Sequence, residues 1–198
     1  MNILEKIEQQ RRASTGGFSL HYGFLYSLIL GMESKNVFVF GSWLSSEVIL
    51  NALEETDGKL TSVDVRPIEQ NNRTFYMKYP KWNYVRGDST KILDDMNHEP
   101  YDVILHDGSH IGSEVLIDLE KIYPYLKQDG ILITHDTLHP YKGEQMMKAV
   151  DEFAKDKSLE RCTLPYGYGL TFFRNVKESK HKVTLSWEKI RKWTRKLT

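Results

Sequence analysis

One cysteine, Cys162, stands among 198 residues, with only six prolines and no net charge, since 27 Lys+Arg balance 27 Asp+Glu. A lone thiol has no partner within the chain, so a disulfide scaffold is excluded and a reducing cytoplasm is the expected compartment. No apolar run approaches the ~20 residues of a membrane span, and the opening MNILEKIEQQRR has no apolar stretch of the signal-peptide kind. The 13 glycines show no period and 40% of residues are hydrophobic, which excludes a collagenous or disordered chain. At a prior of about 150 residues per domain, the chain reads as one domain with a real core.

The neutral total hides a division. Between Val176 and Thr198 stand eight Lys/Arg and two Glu, a net +6, which leaves 19 basic against 25 acidic residues in 1–175, a net −6. An acidic body without a nucleic-acid motif argues against a phosphate-backbone interface. In the tail, Trp187, Ile190, Trp193 and Leu197 recur at helical spacing among basic residues. Such a helix can lie on the inner face of an anionic membrane as a peripheral contact, pack on a partner subunit of a homo-oligomer, or pack on the acidic body of its own chain.

The body alternates short β-branched and aromatic runs with segments of helical period, the pattern of a parallel sheet covered by helices on both faces. The runs are Val37–Phe40, Leu60–Val63, Tyr84–Val85, Val103–Leu105, Ile131–Thr134, Arg161–Leu164 and Leu170–Phe173, seven strands in all. Helices are expected over Leu44–Leu53, Glu69–Lys78, Ser113–Leu126 and Gly143–Ala154, with an earlier apolar one, about Tyr22–Leu30, on the sheet edge. Only Pro165–Gly169 separates the last two runs, which predicts a terminal antiparallel hairpin.

Ligands of open α/β sheets bind outside the carboxyl ends of the strands, so the residues closing each run are the candidates. They are Gly41-Ser42-Trp43, Asp64, Gly87-Asp88-Ser89, His106 through His110, and His135-Asp136-Thr137. Four of the seven histidines fall between 106 and 139. A carboxylate at the second strand end can accept both hydroxyls of a ribose, or merely cap the following turn. Asp107 and Asp136 would end neighbouring strands and could share one hard cation, with His110 overhanging it. One glycine where a dinucleotide fingerprint needs three disfavours a nicotinamide-dependent dehydrogenase.

The stretch YDVILHDGSHIGSEVLIDLEKIYPYLKQDGILITHDT, from Tyr101, resembles class I S-adenosylmethionine-dependent methyltransferases. It is similar in particular to metal-dependent O-methyltransferases of the macrolide-sugar and macrocin type. The resemblance implies a Rossmann-like fold over residues 1–175, a methyltransferase domain, followed by the basic tail 176–198. It implies a divalent metal, Mg²⁺ or Mn²⁺, on Asp107 and Asp136, with His110 as general base. Asp64 would hold the ribose of S-adenosylmethionine, Asp88 and Ser89 would lie along its adenine, and Gly41 and Ser42 would border its methionine part.

The chain departs from that pattern at Val39, where an acidic residue is usual, and at Trp43 and Ser45, where further glycines are usual. His135 stands where sugar-type relatives carry an acid, and is either a third metal ligand or a second base. The expected activity is methyl transfer to a hydroxyl of a small molecule, a sugar or glycan, in a pocket ringed by Trp43, His139, Tyr141, Tyr166 and Tyr168. The residues also accommodate a methyltransferase-fold protein that binds without turnover, or a metal-dependent hydrolase using the same carboxylates and histidines.

Overall fold

The structure is a computed structural model that describes residues 3–13, 17–42, 44–68, 79–155 and 157–176. The expected helix over Glu69–Lys78, Trp43 and the basic tail from residue 177 onward lie outside the described residues. Among the described residues no helix is long and apolar enough to cross a membrane.

The chain runs α1 (Ile3–Ala13), a 3-10 turn (Gly17–His21), α2 (Tyr22–Gly31), β1 (Asn36–Phe40), α3 (Leu44–Thr56), β2 (Lys59–Asp64), β3 (Trp82–Arg86) and α4 (Ser89–Ile92). It continues through β4 (Tyr101–His106), α5 (Gly112–Ile122), β5 (Leu126–His135), α6 (Gly143–Ala154), β6 (Leu159–Leu164) and β7 (Leu170–Asn175). The seven strands form one sheet of order β3-β2-β1-β4-β5-β7-β6, parallel from β3 to β5 and closed by the antiparallel β6–β7 hairpin. The expected seven-stranded α/β architecture is therefore present.

Strand residues alternate between two cores, which is why the runs read as continuously apolar. Val37, Val39, Val103, Leu105 and Ile133 face α2 and α3, whereas Phe38, Phe40, Ile104 and Leu132 face α5 and α6. The α6 stripe Met146, Ala149, Val150 and Phe153 has helical period and is buried against the second core. Helix α2 was expected at the sheet edge. It lies instead on a face beside α3, because Tyr22, Leu25, Tyr26 and Ile29 bury a stripe too wide for an edge. Placing it there brings the preceding turn, Gly17–His21, to the carboxyl ends of the strands.

At the opposite end of the sheet Asp102 ties the start of β4 to β1. Its Oδ2 accepts the amides of Lys35 and Asn36, each at 2.9 Å, and its Oδ1 accepts Lys127 Nζ at 2.7 Å. Burial alone would raise its pKa, but these donors together outweigh burial and hold the carboxyl below its ordinary value. Asp102→Ala is expected to cost about 1–3 kcal/mol in urea unfolding at pH 7. Because the folded pKa lies below the unfolded one, that contribution is complete above about pH 5 and disappears as pH falls through the folded value. Parent and variant should therefore converge in stability at acid pH.

Candidate active site

Chain order turns back between β1 and β4, and the crevice at such a switch point is where α/β sheets take ligands. A cavity of about 650 Å³ opens there, reaching from Asp64 and Ser89 at one end to His110 and Asp136 at the other. Gly41 sits at its floor with φ +80°, and a Cβ on it would lie 2.3 Å from the Asp107 carbonyl oxygen. Gly41 is thus required by the close approach of two strand tips, a reason more local than room for a cofactor.

Asp64 closes β2 with 6% of its surface exposed. Its carboxylate accepts the Ser42 amide at 2.8 Å, the Arg66 amide at 3.0 Å, and Arg66 Nε and Nη2 at 3.1 and 2.7 Å. Burial would raise its pKa; the Arg66 side chain and the two amides outweigh burial and lower it. All four lone-pair sites are therefore in use, and a diol reaches Asp64 only after the half-exposed guanidinium swings away. Arg66→Ala should consequently tighten S-adenosylhomocysteine binding by about 3–10-fold in titration calorimetry, since the competing arrangement is removed. Weaker binding would mean that Arg66 itself holds the ligand.

Ser42 borders no part of the cavity. It is buried behind the wall, its amide spent on Asp64 and its hydroxyl 3.4 Å from Ser46 Oγ. Asp88 and Ser89 do line the cavity, but the Asp88 carboxylate caps α4 by accepting the Thr90 amide and hydroxyl at 3.1 and 2.7 Å, and pairs with Lys91. Of the two, only Ser89 keeps its side chain out of the α4 cap, its hydroxyl donating to Asp118 at 2.9 Å.

The other end is built by β4 and β5, parallel neighbours as expected. Asp136 follows β5 in the left-handed region at φ +59°, a conformation that costs a non-glycine residue energy and here turns its carboxylate toward the loop after β4. Its Oδ2 lies 2.6 Å from His110 Nε2. The His110 loop is held by Ser109, whose Oγ accepts the Ile111 amide at 3.1 Å and donates to Glu114 at 2.5 Å. Burial raises the Asp136 pKa, but His110, His135 and His139 together bring it below the ordinary carboxylate value.

His135 Nδ1 is 3.2 Å from both Asp107 Oδ1 and Asp136 Oδ1, so the ring stands between the two carboxylates. Nδ1 and Asp136 Oδ1 are buried, and neither makes a well-aligned hydrogen bond. Burial lowers the His135 pKa, but the two carboxylates and the Gly167 carbonyl, 3.0 Å from Nε2, outweigh it and raise the pKa above its ordinary value. Among the described residues no group of three or more His, Cys, Asp or Glu side chains is laid out as a metal cage. The oxygen donors that would suit a hard cation are the carboxylate pair, the buried Asp136 Oδ1 and the part-exposed Asp107.

Several placements escaped sequence reasoning. Phe18, in the turn before α2, and Tyr22, the first residue of α2, wall the cavity, and the Phe18 ring packs 4.6 Å from that of His135. His21, fully buried, shares the Gly167 carbonyl with His135. No local pattern marks these residues; only the packing of α2 beside α3 brings them in. Of the expected aromatic ring, Tyr168 and His139 line the cavity with centroids 4.5 Å apart. Tyr166 packs on His21 outside it, and Tyr141, in the loop between β5 and α6, is 89% exposed. His106, grouped with the site by its place at a strand end, is wholly buried in the interior.

A sheet of this strand order, with an acid at the β2 tip and paired carboxylates at the β4 and β5 tips, has the Rossmann-like architecture of class I S-adenosylmethionine-dependent methyltransferases. Residues 40–137 match the family described as Methyltransferase domain. The chain is similar to caffeoyl-CoA O-methyltransferase of Medicago sativa, 25% identical over 183 residues that cover 78% of this chain and 72% of the relative. Among solved structures it is similar to the S-adenosylhomocysteine-bound methyltransferase PaMTH1 of Podospora anserina, with TM-score 0.71, 15% identity and 88% and 87% of the two chains covered. It also resembles MycE of the mycinamycin biosynthetic pathway, solved with Mg, S-adenosylhomocysteine and mycinamycin VI, with TM-score 0.59, 16% identity and coverage of 85% and 52%. In sequence and in architecture the chain is similar to S-adenosylmethionine-dependent methyltransferases, O-methyltransferases among them.

Proposed function

We propose that this enzyme transfers a methyl group from S-adenosylmethionine to a ring-borne hydroxyl of a sugar or glycan, with a divalent cation on Asp107 and Asp136 and with His110 as general base. The observation that carries this reading is the Asp136 carboxylate, one oxygen on His110 and the other unpaired beside His135 and Asp107, at the end of a cavity whose far end holds Asp64 and Ser89. The relatives named above support the cofactor, and MycE, solved with Mg, S-adenosylhomocysteine and mycinamycin VI, supports the cation and a macrolide-type acceptor.

Asp64 would bind the ribose diol once Arg66 withdraws, and the Ser89 hydroxyl would meet the purine. A cation on the two carboxylates supplies Lewis acidity that lowers the pKa of an acceptor hydroxyl. His110, oriented by Asp136, takes the acceptor proton as the methyl carbon is attacked. His135, anchored on Gly167, stands between the two carboxylates and would be either a third ligand or a second base. Phe18, Tyr168 and His139 present apolar faces suited to the C–H face of a sugar. A phenol is the second acceptor reading, favoured by the caffeoyl-CoA O-methyltransferase likeness.

The test is calorimetry with S-adenosylhomocysteine, with and without Mg²⁺ or Mn²⁺, followed by transfer of radiolabelled methyl to panels of glycosides and phenols. Binding with metal-stimulated transfer to glycosides supports the proposal. Absence of binding removes the cofactor assignment, and transfer confined to phenols moves the acceptor to the second reading.

A further inference from the structure

Helix α5 carries an aspartate in its apolar stripe. Val115, Leu119 and Ile122 are fully buried against the sheet, and Asp118, three residues from Val115 and four from Ile122, is buried with them at 0% exposure. A carboxylate in such a place is costly unless hydrogen-bonded. Its Oδ2 meets two partners, Ser89 Oγ at 2.9 Å and His106 Nε2 at 3.1 Å. His106 is itself wholly buried, its ring 4.8 Å from that of Phe40 beneath the cavity floor. The chain of contacts therefore runs from the interior to one residue that lines the cavity, Ser89.

A serine hydroxyl has one proton and two lone pairs. The Ser89 proton is committed to Asp118, whose Oδ2 is held in place by His106, so toward the cavity Ser89 offers only acceptor capacity. Without Asp118 the hydroxyl would rotate freely and serve donors and acceptors alike. We infer that Asp118 and His106 are positioning residues that fix Ser89 as a hydrogen-bond acceptor and so select a 6-aminopurine over a 6-oxopurine in the nucleoside end of the site. The inference rests on the cofactor reading above. An adenine amino group donates to such an oxygen, whereas a hypoxanthine oxygen opposes it, lone pair against lone pair.

The experiment compares binding of S-adenosylhomocysteine and S-inosylhomocysteine to the full-length protein and to Ser89→Ala and Asp118→Asn. The parent should prefer the adenosyl ligand by about tenfold or more, the loss of one well-placed hydrogen bond. In Ser89→Ala that preference should shrink at least about threefold. It should shrink likewise in Asp118→Asn, where the amide can donate to Ser89 and free its proton for the oxopurine. In both variants the KM for S-adenosylmethionine should rise, the pattern of a lost binding contact. A purely structural tie between α5 and α4 would weaken both ligands equally and leave their ratio unchanged.

An unchanged ratio in both variants, or a parent with no preference, overturns the inference while leaving the cofactor reading intact. Failure of the parent to bind S-adenosylhomocysteine overturns both. Should Asp118→Asn fail to fold by circular dichroism, Ser89→Ala decides alone, since Ser89 is only half-buried and its loss leaves the core untouched.

Discussion

Replacement of His110 by alanine is expected to lower methyl transfer by about 10²–10⁴ while S-adenosylhomocysteine binding stays within about twofold. The separation of the two effects follows from position. His110 sits in the loop after β4 with 30% of its side chain exposed, at the end of the cavity away from Asp64 and Ser89. Its removal leaves no void in either core. What it removes is an imidazole oriented by a 2.6 Å contact to Asp136. Asp136→Asn is the companion variant, because asparagine tolerates the φ of +59° yet loses the charge that orients His110 and faces Asp107. It should lose both turnover and any stimulation by Mg²⁺ or Mn²⁺. Radiolabelled transfer at saturating substrates, paired with calorimetry, measures both, and undiminished turnover of His110→Ala would remove the base assignment.

The second large effect falls on stability. Gly41→Ala places a Cβ 2.3 Å from the Asp107 carbonyl oxygen and 3.2 Å from Gly108 Cα, both backbone atoms, in a residue whose φ of +80° already disfavours a side chain. Relief requires that the tips of β1 and β4 separate, although the Gly41 amide is bound to Val63 O at 2.8 Å and the Asp107 amide to Phe40 O at 3.1 Å. The expected cost is about 3 kcal/mol or more, a fall of roughly 10 °C in Tm. Gly23→Ala is the control. Nothing lies within 4 Å of its Cβ position on the exposed side of α2, so it should be neutral or gain about 0.5–1 kcal/mol from helix propensity. Equal melting temperatures for parent and Gly41→Ala would show that the strand tips are looser than this geometry implies.

Among the described residues the predicted strands and helices survive with boundary changes that have physical causes. Period alone extended α5 to Leu126, but Pro124 in Tyr123–Tyr125 tightens that end into a 3-10 turn and the chain enters β5 at Leu126. The run Ile131–Thr134 is only the doubly buried part of β5, whose first half carries exposed Gln128 and Asp129 and so lacks an apolar signal. Helix α6 spans the expected residues, since its stripe is complete at both ends. Asp118 escaped the sequence reading, since one acid in an apolar helical face carries no signal of its partners Ser89 and His106.

What one-dimensional pattern settles here is the sheet with its helices and terminal hairpin, and the gathering of Asp64, Ser89, Asp107, His110 and Asp136 at one edge. Strand burial and the rule that ligands meet strand ends are both local properties of the chain. Pattern is silent on which way each end residue turns. His106 goes inward and His110 outward; Ser42 is hidden while Ser89 is open; Arg66 covers Asp64; and Phe18, Tyr22 and His21 come in from a distant segment. Those outcomes depend on backbone angles at the strand tips and on where α2 packs, and both are set by contacts between residues far apart in the chain.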